Sequence, residues 1–256
     1  MSHQPRGTGK RKRLDDILVD RGLAPSKAVA KALIMAGKVR SEERLLDKPG
    51  KAQPVDIPVT VEQPPRFVSR GGEKMQAALD AFDLCPAGAT VLDVGLSTGG
   101  FSDCLLQAGA VGITGIDVGR AQLHPKLGAD PRLTSIEKCN ARHLQPGDLP
   151  RELYDWLVID VSFISLRTVL PAVWPFLGVP GQAVLLIKPQ FEAHREEVAR
   201  FRGVIQDEAI RARIRDEFEE FIRRDLPGAG APRIIDCPVH GGDGNQEFLA
   251  HVVKDR

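Results

Sequence analysis

Several polar residues stand where apolar runs begin or end, and such positions can carry chemistry. Asp93 closes a run beginning at Thr90, and Asp117 closes Gly112–Ile116. Asp160 follows Trp156–Ile159, and Lys188 follows Val184–Ile187. Glu247 opens the run that continues through Val253. In open α/β sheets, ligands bind outside the carboxyl ends of the strands. Asp93, Asp117, Asp160 and Lys188 would therefore meet at one edge. Glu247 would join them if its strand runs antiparallel. A Lys at the end of a buried strand is costly unless it is paired or functional, although it can also snorkel to solvent. Lys74, in Arg70-Gly71-Gly72-Glu73-Lys74, opens a helix over 75–79, where a cation opposes the helix dipole.

The loop after the first of these runs, Val94-Gly95-Leu96-Ser97-Thr98-Gly99-Gly100, reads as a tight turn into a helix N-terminus. No Gly-Lys-Ser/Thr follows, so it is not a P-loop, and its spacing misses G-x-G-x-x-G. An acidic Asp93 disfavours a pyrophosphate and suits a cofactor bearing a cation and an amine; S-adenosylmethionine has both. Asp117 suits ribose hydroxyls. By itself such a loop is more often a plain turn; with Asp117 at this spacing it reads as a cofactor site.

The elements that must position these groups follow from patterning. Strand-like runs at 90–94, 112–117, 133–137, 156–161 and 183–188 alternate with amphipathic segments, as in a mostly parallel sheet with helices on both faces. Two later runs, 233–237 and 248–253, would add an antiparallel edge. Before them lies a small helical unit. Leu14, Ile17 and Leu18 recur at helical spacing, and Gly22 can end that helix. Ser26 can cap a second, with Val29, Leu33 and Ala36 inward. Lys27 and Lys31 share a face, and Lys38 and Arg40 follow on a strand. Five prolines in 49–65 confine that stretch to edge strands and linker.

Charge is uneven. Residues 1–65 hold 13 Lys/Arg against 8 Asp/Glu, and the rest hold 22 against 26, so the net +1 hides a basic first quarter. The densest run, Arg6–Arg13, reads as a solvated arm able to contact phosphate. No apolar run approaches the roughly 20 residues that span a bilayer. The first residues lack a signal-peptide core, and the four cysteines form no C-x-x-C pair. The expectation is a cytoplasmic protein with reduced thiols and no metal.

The ordered motifs Arg13–Ala24, Leu33–Val39, Asp47–Gly50, Arg66–Lys74, Asp93–Gln107, Gly115–Leu123, Asp160–Leu166, Leu186–Glu192 and Gly244–Leu249 resemble the TlyA family, also labelled haemolysin A, over nearly the whole chain. The resemblance implies an α/β protein: a Rossmann-like methyltransferase with a mostly parallel seven-stranded sheet, preceded by a small α/β RNA-binding domain of the ribosomal S-four type. The implied organisation is a basic arm (1–12), the RNA-binding domain (13–62), a linker (63–72) and an FtsJ-like domain (73–256). The implied activity is S-adenosylmethionine-dependent 2′-O-methylation of cytidine in ribosomal RNA within ribosomal subunits. Lys74, Asp160, Lys188 and Glu247 then match a catalytic tetrad. Asp93, Gly95, Ser97, Gly99 and Asp117 match cofactor contacts, with Asn140 near the adenine. Arg11, Lys12, Arg13, Lys27, Lys31, Lys38, Arg40, Arg66 and Arg70 are the RNA-contact candidates. Lys188 would act either as a neutral base or as an ammonium orienting the ribose oxygen. Two segments depart from the family, Lys38–Arg44 and Pro238–Gly242. The rival readings are a non-catalytic RNA-binding assembly factor, a membrane-active haemolysin and a small-molecule methyltransferase.

Overall fold

The computed structural model describes residues 10–62 and 65–255, which divide into two units between Pro65 and Arg66. Most of the basic arm, residues 1–9, lies outside the described residues.

The first unit runs β1 (Arg11–Arg13), α1 (Leu14–Asp20), α2 (Lys27–Met35), β2 (Val39–Ser41), β3 (Arg44–Leu45), β4 (Ala52–Pro54) and β5 (Thr60–Val61). Arg11–Arg13, expected in or beside a loose arm, instead form a strand that pairs antiparallel with β4, because backbone groups of Ala52–Pro54 take up their ladder bonds. Ser26 caps α2 by accepting the Val29 N–H (3.3 Å). The inward face of α2 differs from the expected one: Ala30 and Ile34 are buried against Leu14, Leu18 and Val39, whereas Val29 and Ala36 face solvent. The helix is turned by about one residue, since α1 and β2 cover its Ala30 side.

The second unit comprises α3 (Arg70–Phe82), β6 (Thr90–Val94), α4 (Gly100–Gln107), β7 (Gly112–Asp117), α5 (Pro125–Gly128), β8 (Leu133–Glu137), β9 (Tyr154–Ile159) and α6 (Leu166–Val173). There follow β10 (Leu177–Ile187), α7 (Pro189–Glu192), α8 (Arg195–Arg200), α9 (Glu208–Asp225), β11 (Arg233–Asp236) and β12 (Phe248–Lys254). One seven-stranded sheet has the order β11-β12-β10-β9-β6-β7-β8. The expected antiparallel edge is narrower than two strands. Only β12 is reversed; β11 pairs antiparallel with β12 and so runs with the other five.

Each face of the sheet has its own core. Leu92, Leu157, Leu185 and Ala250 pack towards α6 and α9. Val91, Val158, Leu186 and Leu249 pack towards α3 and α4. Residues 66–72, which the sequence reading placed in a linker over 63–72, belong to the second unit. Phe67 is buried in the α3–α4 core, and α3 begins at Arg70, with extended Ser69 before it. The chain changes sides between β6 and β9, which opens a crevice at the carboxyl ends of the strands.

Candidate active site

Strand alternation decides which side chains can meet. Asp160 lies two residues beyond Val158, Lys188 two beyond Leu186, and Glu247 two before Leu249, so all three share the α3 face of the sheet. The last rung of the β10–β12 ladder pairs Ile187 with Phe248, which leaves Lys188 and Glu247 at adjoining strand ends. Lys74 enters this group from α3. Because α3 starts at Arg70, Lys74 sits beyond its first turn, and the expected conflict with the helix dipole does not arise. Its ammonium instead forms a buried ion pair with Glu247. Lys188 pairs with Asp160 (2.6 Å) and donates to the Ser162 hydroxyl (2.9 Å). The four tetrad candidates thus form two ion pairs. Lys74, Lys188 and Glu247 are buried, and Asp160 is half-buried. Each charge removed from water has an opposite partner, as burial demands. A side chain at Gly241 would strike the Glu247 carboxylate, its Cβ falling 2.8 Å from Oε1. The departing loop at 238–242 therefore keeps a glycine where it crosses Glu247.

Beside this cluster lies a cavity of about 460 Å³, walled by Gly95, Ser97, Asp117, Asn140, Asp160 and Phe163 among others. Asp160 and Ser162 belong to both the wall and the Lys188 cluster. Asp117 accepts the N–H of Ser97 (2.8 Å) on one oxygen and that of Gly119 (2.7 Å) on the other. Each carboxylate oxygen keeps a further lone pair for a hydroxyl. Asn140 caps a short 3₁₀ turn through the Arg142 N–H (3.2 Å). The volume and mix of apolar wall with few polar groups fit a nucleoside-sized ligand, and the Asp117 acceptor fits its ribose.

Two expected cofactor contacts do not reach this wall. Asp93 shares the side of Val91, so its carboxyl turns under α4, where it accepts the Ser102 hydroxyl (2.6 Å) and its other oxygen has no partner. Burial pushes this acid up to about 7, and the charges of Asp160 and Asp117 add to the rise. Gly99 caps α4 in a left-handed conformation (φ 87°), where a Cβ would lie 2.3 Å from Leu127. Both shape the loop from beneath.

The RNA-contact candidates are placed unequally. In the first unit, Lys12 pairs with Asp20, Arg13 with Asp15 (2.8 Å), Lys27 with Asp16 (2.7 Å) and Lys38 with Glu62 (2.7 Å). The four basic side chains remain 40–47% exposed, whereas Asp15, the partner of Arg13, is buried. Arg11 donates to the Ala52 carbonyl (2.7 Å) and Arg40 to that of Glu43 (3.3 Å), while Lys31 is exposed. In the second unit, Arg66 lies over the Phe67 ring (4.8 Å). Exposed Arg70 approaches Gly242, next to the loop over Glu247.

Other residues in the site escaped the sequence reading. Phe163 lines the cavity, is 91% exposed, has φ 64° and lies 5.4 Å from the Phe191 ring. Asn245 is wholly buried, accepts the Ile205 N–H (2.9 Å) and donates to Gly203 O (2.9 Å), which anchors the loop before Glu247. Both lie inside motifs singled out from the sequence, but no local pattern marks one member of a motif as exposed and another as an anchor.

Residues 67–254 match the FtsJ-like methyltransferase family, and residues 12–52 match the S4 domain. YqxC of Bacillus subtilis, an inferred rRNA methyltransferase, is 43% identical over 246 residues, covering 96% of this chain and 86% of that protein. The 16S/23S rRNA (cytidine-2′-O)-methyltransferase TlyA of Mycobacterium tuberculosis is 42% identical over 242 residues, covering 94% and 89%. The solved structure of an inferred hemolysin from Streptococcus thermophilus superposes with a TM-score of 0.71 at 37% identity, covering 96% of this chain and 89% of that one. With its strand order, strand-end charges and crevice, the chain belongs to the FtsJ-like methyltransferases, in the TlyA (hemolysin A) group that sets an S4 domain ahead of the methyltransferase domain.

Proposed function

We propose that this chain methylates the ribose 2′-hydroxyl of cytidine in ribosomal RNA, within ribosomal subunits and hence in the cytoplasm, using S-adenosylmethionine. The observation that carries the reading is the pair of ion pairs, Lys74–Glu247 and Lys188–Asp160, at the rim of a nucleoside-sized cavity. The names of the relatives support the substrate class. Asp117, Gly95, Ser97 and Asn140 would hold the cofactor's nucleoside end. When bound, S-adenosylmethionine supplies an electrophilic methyl group. Lys188, fixed by Asp160 and Ser162, holds the ribose oxygen in line; as a neutral amine it takes the hydroxyl proton, and as an ammonium it orients the oxygen while the proton passes to the Asp160 carboxylate. Alignment alone can supply several kcal/mol, and proton removal about 10²–10⁴-fold in rate. Lys74 and Glu247 close the far side of the cluster and keep it electrically balanced. Exposed Phe163, backed by Phe191, offers a stacking face for a base turned out of the RNA. Residues 13–62 form the RNA-binding domain, with Lys and Arg heads on phosphates. Among the described residues no helix is long and apolar enough to cross a membrane.

The test is transfer of labelled methyl from S-adenosylmethionine to ribosomal subunits and free ribosomal RNA. Wild type should label RNA, with the label on ribose. Lys188→Ala should lose at least about 10²-fold in rate with cofactor affinity kept. A fully active mutant would remove Lys188 from the mechanism. Wild type that binds cofactor yet labels no RNA would favour the non-catalytic assembly factor.

A further inference from the structure

Two segments meet beside the cavity: residues 160–166, after β9, whose first five line it, and residues 188–192, after β10. They are joined by three successive contacts. Lys188 meets Asp160 and Ser162 at one end. Phe191 meets Phe163 in the middle. At the other end, Glu192 accepts the Ser165 hydroxyl (2.7 Å) and the Leu166 N–H (2.7 Å), with Arg167 Nε 3.6 Å away. The Glu192 side chain is 1% exposed. Burial pushes its carboxyl up, against the pull of Ser165, Leu166 and Arg167. The anchor extends further, because Arg167 also binds Glu217 of α9 (3.0 Å), and Arg213 ties Glu217 (2.7 Å) to Glu197 of α8 (2.6 Å).

We propose that Glu192 is a positioning residue for methyl transfer, holding the 160–166 segment so that Asp160 and Ser162 stay on Lys188 and Phe163 stays at the cavity mouth. The inference rests on the reading of Lys188 and Asp160 given above. Phe163 has φ 64° yet is almost fully exposed, so the contact of its ring with Phe191 buries too little to hold that conformation by itself. A non-glycine residue in the left-handed region persists only where its surroundings over-determine it. The surroundings here are the two ends of the segment. One end is fixed by the Asp160 N–H donating to Val94 O (3.0 Å), and the other by Glu192. Without Glu192 the segment loses its far anchor, and Asp160 gains freedom to leave Lys188.

The experiment measures single-turnover methyl transfer at saturating cofactor, and cofactor affinity, on RNA that wild type labels, well below the unfolding temperature of every variant. Glu192→Ala should lower the saturating rate at least about tenfold. Cofactor Kd should change by a smaller factor than the rate, because Asp117 and Asn140 lie outside the 160–166 segment. Glu192→Gln can still accept from Leu166 and can donate to Ser165 Oγ, so it should recover the rate to within about threefold. Ser165→Ala removes one of the two bonds, together with the cap on the Arg167 N–H, and should also lower the saturating rate; it decides the matter if Glu192→Ala does not fold. If folded Glu192→Ala, or Ser165→Ala in its place, keeps the wild-type saturating rate, or loses only thermal stability, the positioning role is wrong. Wild type inactive on RNA would overturn the proposed function and this inference with it.

Discussion

Asp93 is the residue whose environment departs furthest from what its position in the chain implies. It ends a strand at the crevice, yet its carboxyl is wholly buried beneath α4, with one oxygen on Ser102 and one unpartnered. Its folded pKa is raised to about 7. The folded state therefore favours the protonated acid. The stability this contributes is fully present below the ordinary carboxylate range and is lost as pH rises through about 7. A shift of this size corresponds to on the order of 4 kcal/mol between the two limits. Asp93→Asn keeps an acceptor for Ser102 and never ionises. Urea unfolding of the cofactor-free protein at pH 6 and pH 9 should show a smaller loss of stability with rising pH in the variant. An equal loss in both would assign the pH dependence to another group.

At the scale of elements, the site depends on how closely the loop after β6 crosses the end of β9. Gly95 has φ 91°, and a Cβ built there would lie 2.2 Å from the Asp160 carbonyl oxygen. Gly95→Ala must therefore push the two segments apart, and it pays twice, in steric clash and in left-handed backbone strain. A loss of about 2 kcal/mol or more in unfolding free energy is expected, together with loss of cofactor binding in calorimetry. Unchanged stability and affinity would mean that the two loops are not held so close. The sequence marked this glycine as part of a tight turn. It did not reveal that the obstacle is a backbone carbonyl 65 residues further on, since the β6–β9 pairing that brings Asp160 there is a long-range event. The same reasoning covers α3. A helix over 75–79 was legible in the sequence, but its start at Arg70, and thus the place of Lys74 beyond the first turn, was not.

For the molecule as a whole, charge and core divide along the same line. The first 65 residues carry the excess of Lys and Arg and have their own small core around Leu14, Leu18, Ala30 and Ile34. The second unit holds the cavity, the tetrad candidates and two cores of its own. Removal of residues 1–62 should leave cofactor affinity intact, because every residue of the cavity wall lies in the second unit. RNA affinity should fall, and the slope of log affinity against log salt should flatten by at least about two units, as phosphate contacts are lost. Titration of ribosomal RNA at several salt concentrations checks this. An unchanged slope would place the RNA contacts elsewhere.

What the sequence determined by itself was whatever local pattern encodes. Apolar runs alternating with amphipathic ones specified a buried, mostly parallel sheet, and polar residues at strand ends specified which edge does chemistry. The identity of the charged residues and the order of their motifs then pointed to methyl transfer. The tertiary structure alone decided which charge meets which. Lys74 and Glu247, 173 residues apart, become partners through the contact of α3 with β12, and Lys188 meets Asp160 through the register of β9 on β10. It also decided that Asp93 turns away from the cavity, that Phe163 stands exposed and that the Glu192 side chain is held out of water by Ser165 and Leu166. Local periodicity says which face a side chain takes within its own element. Which other elements that face meets is set by sheet order and register, and these exist only once distant segments have packed.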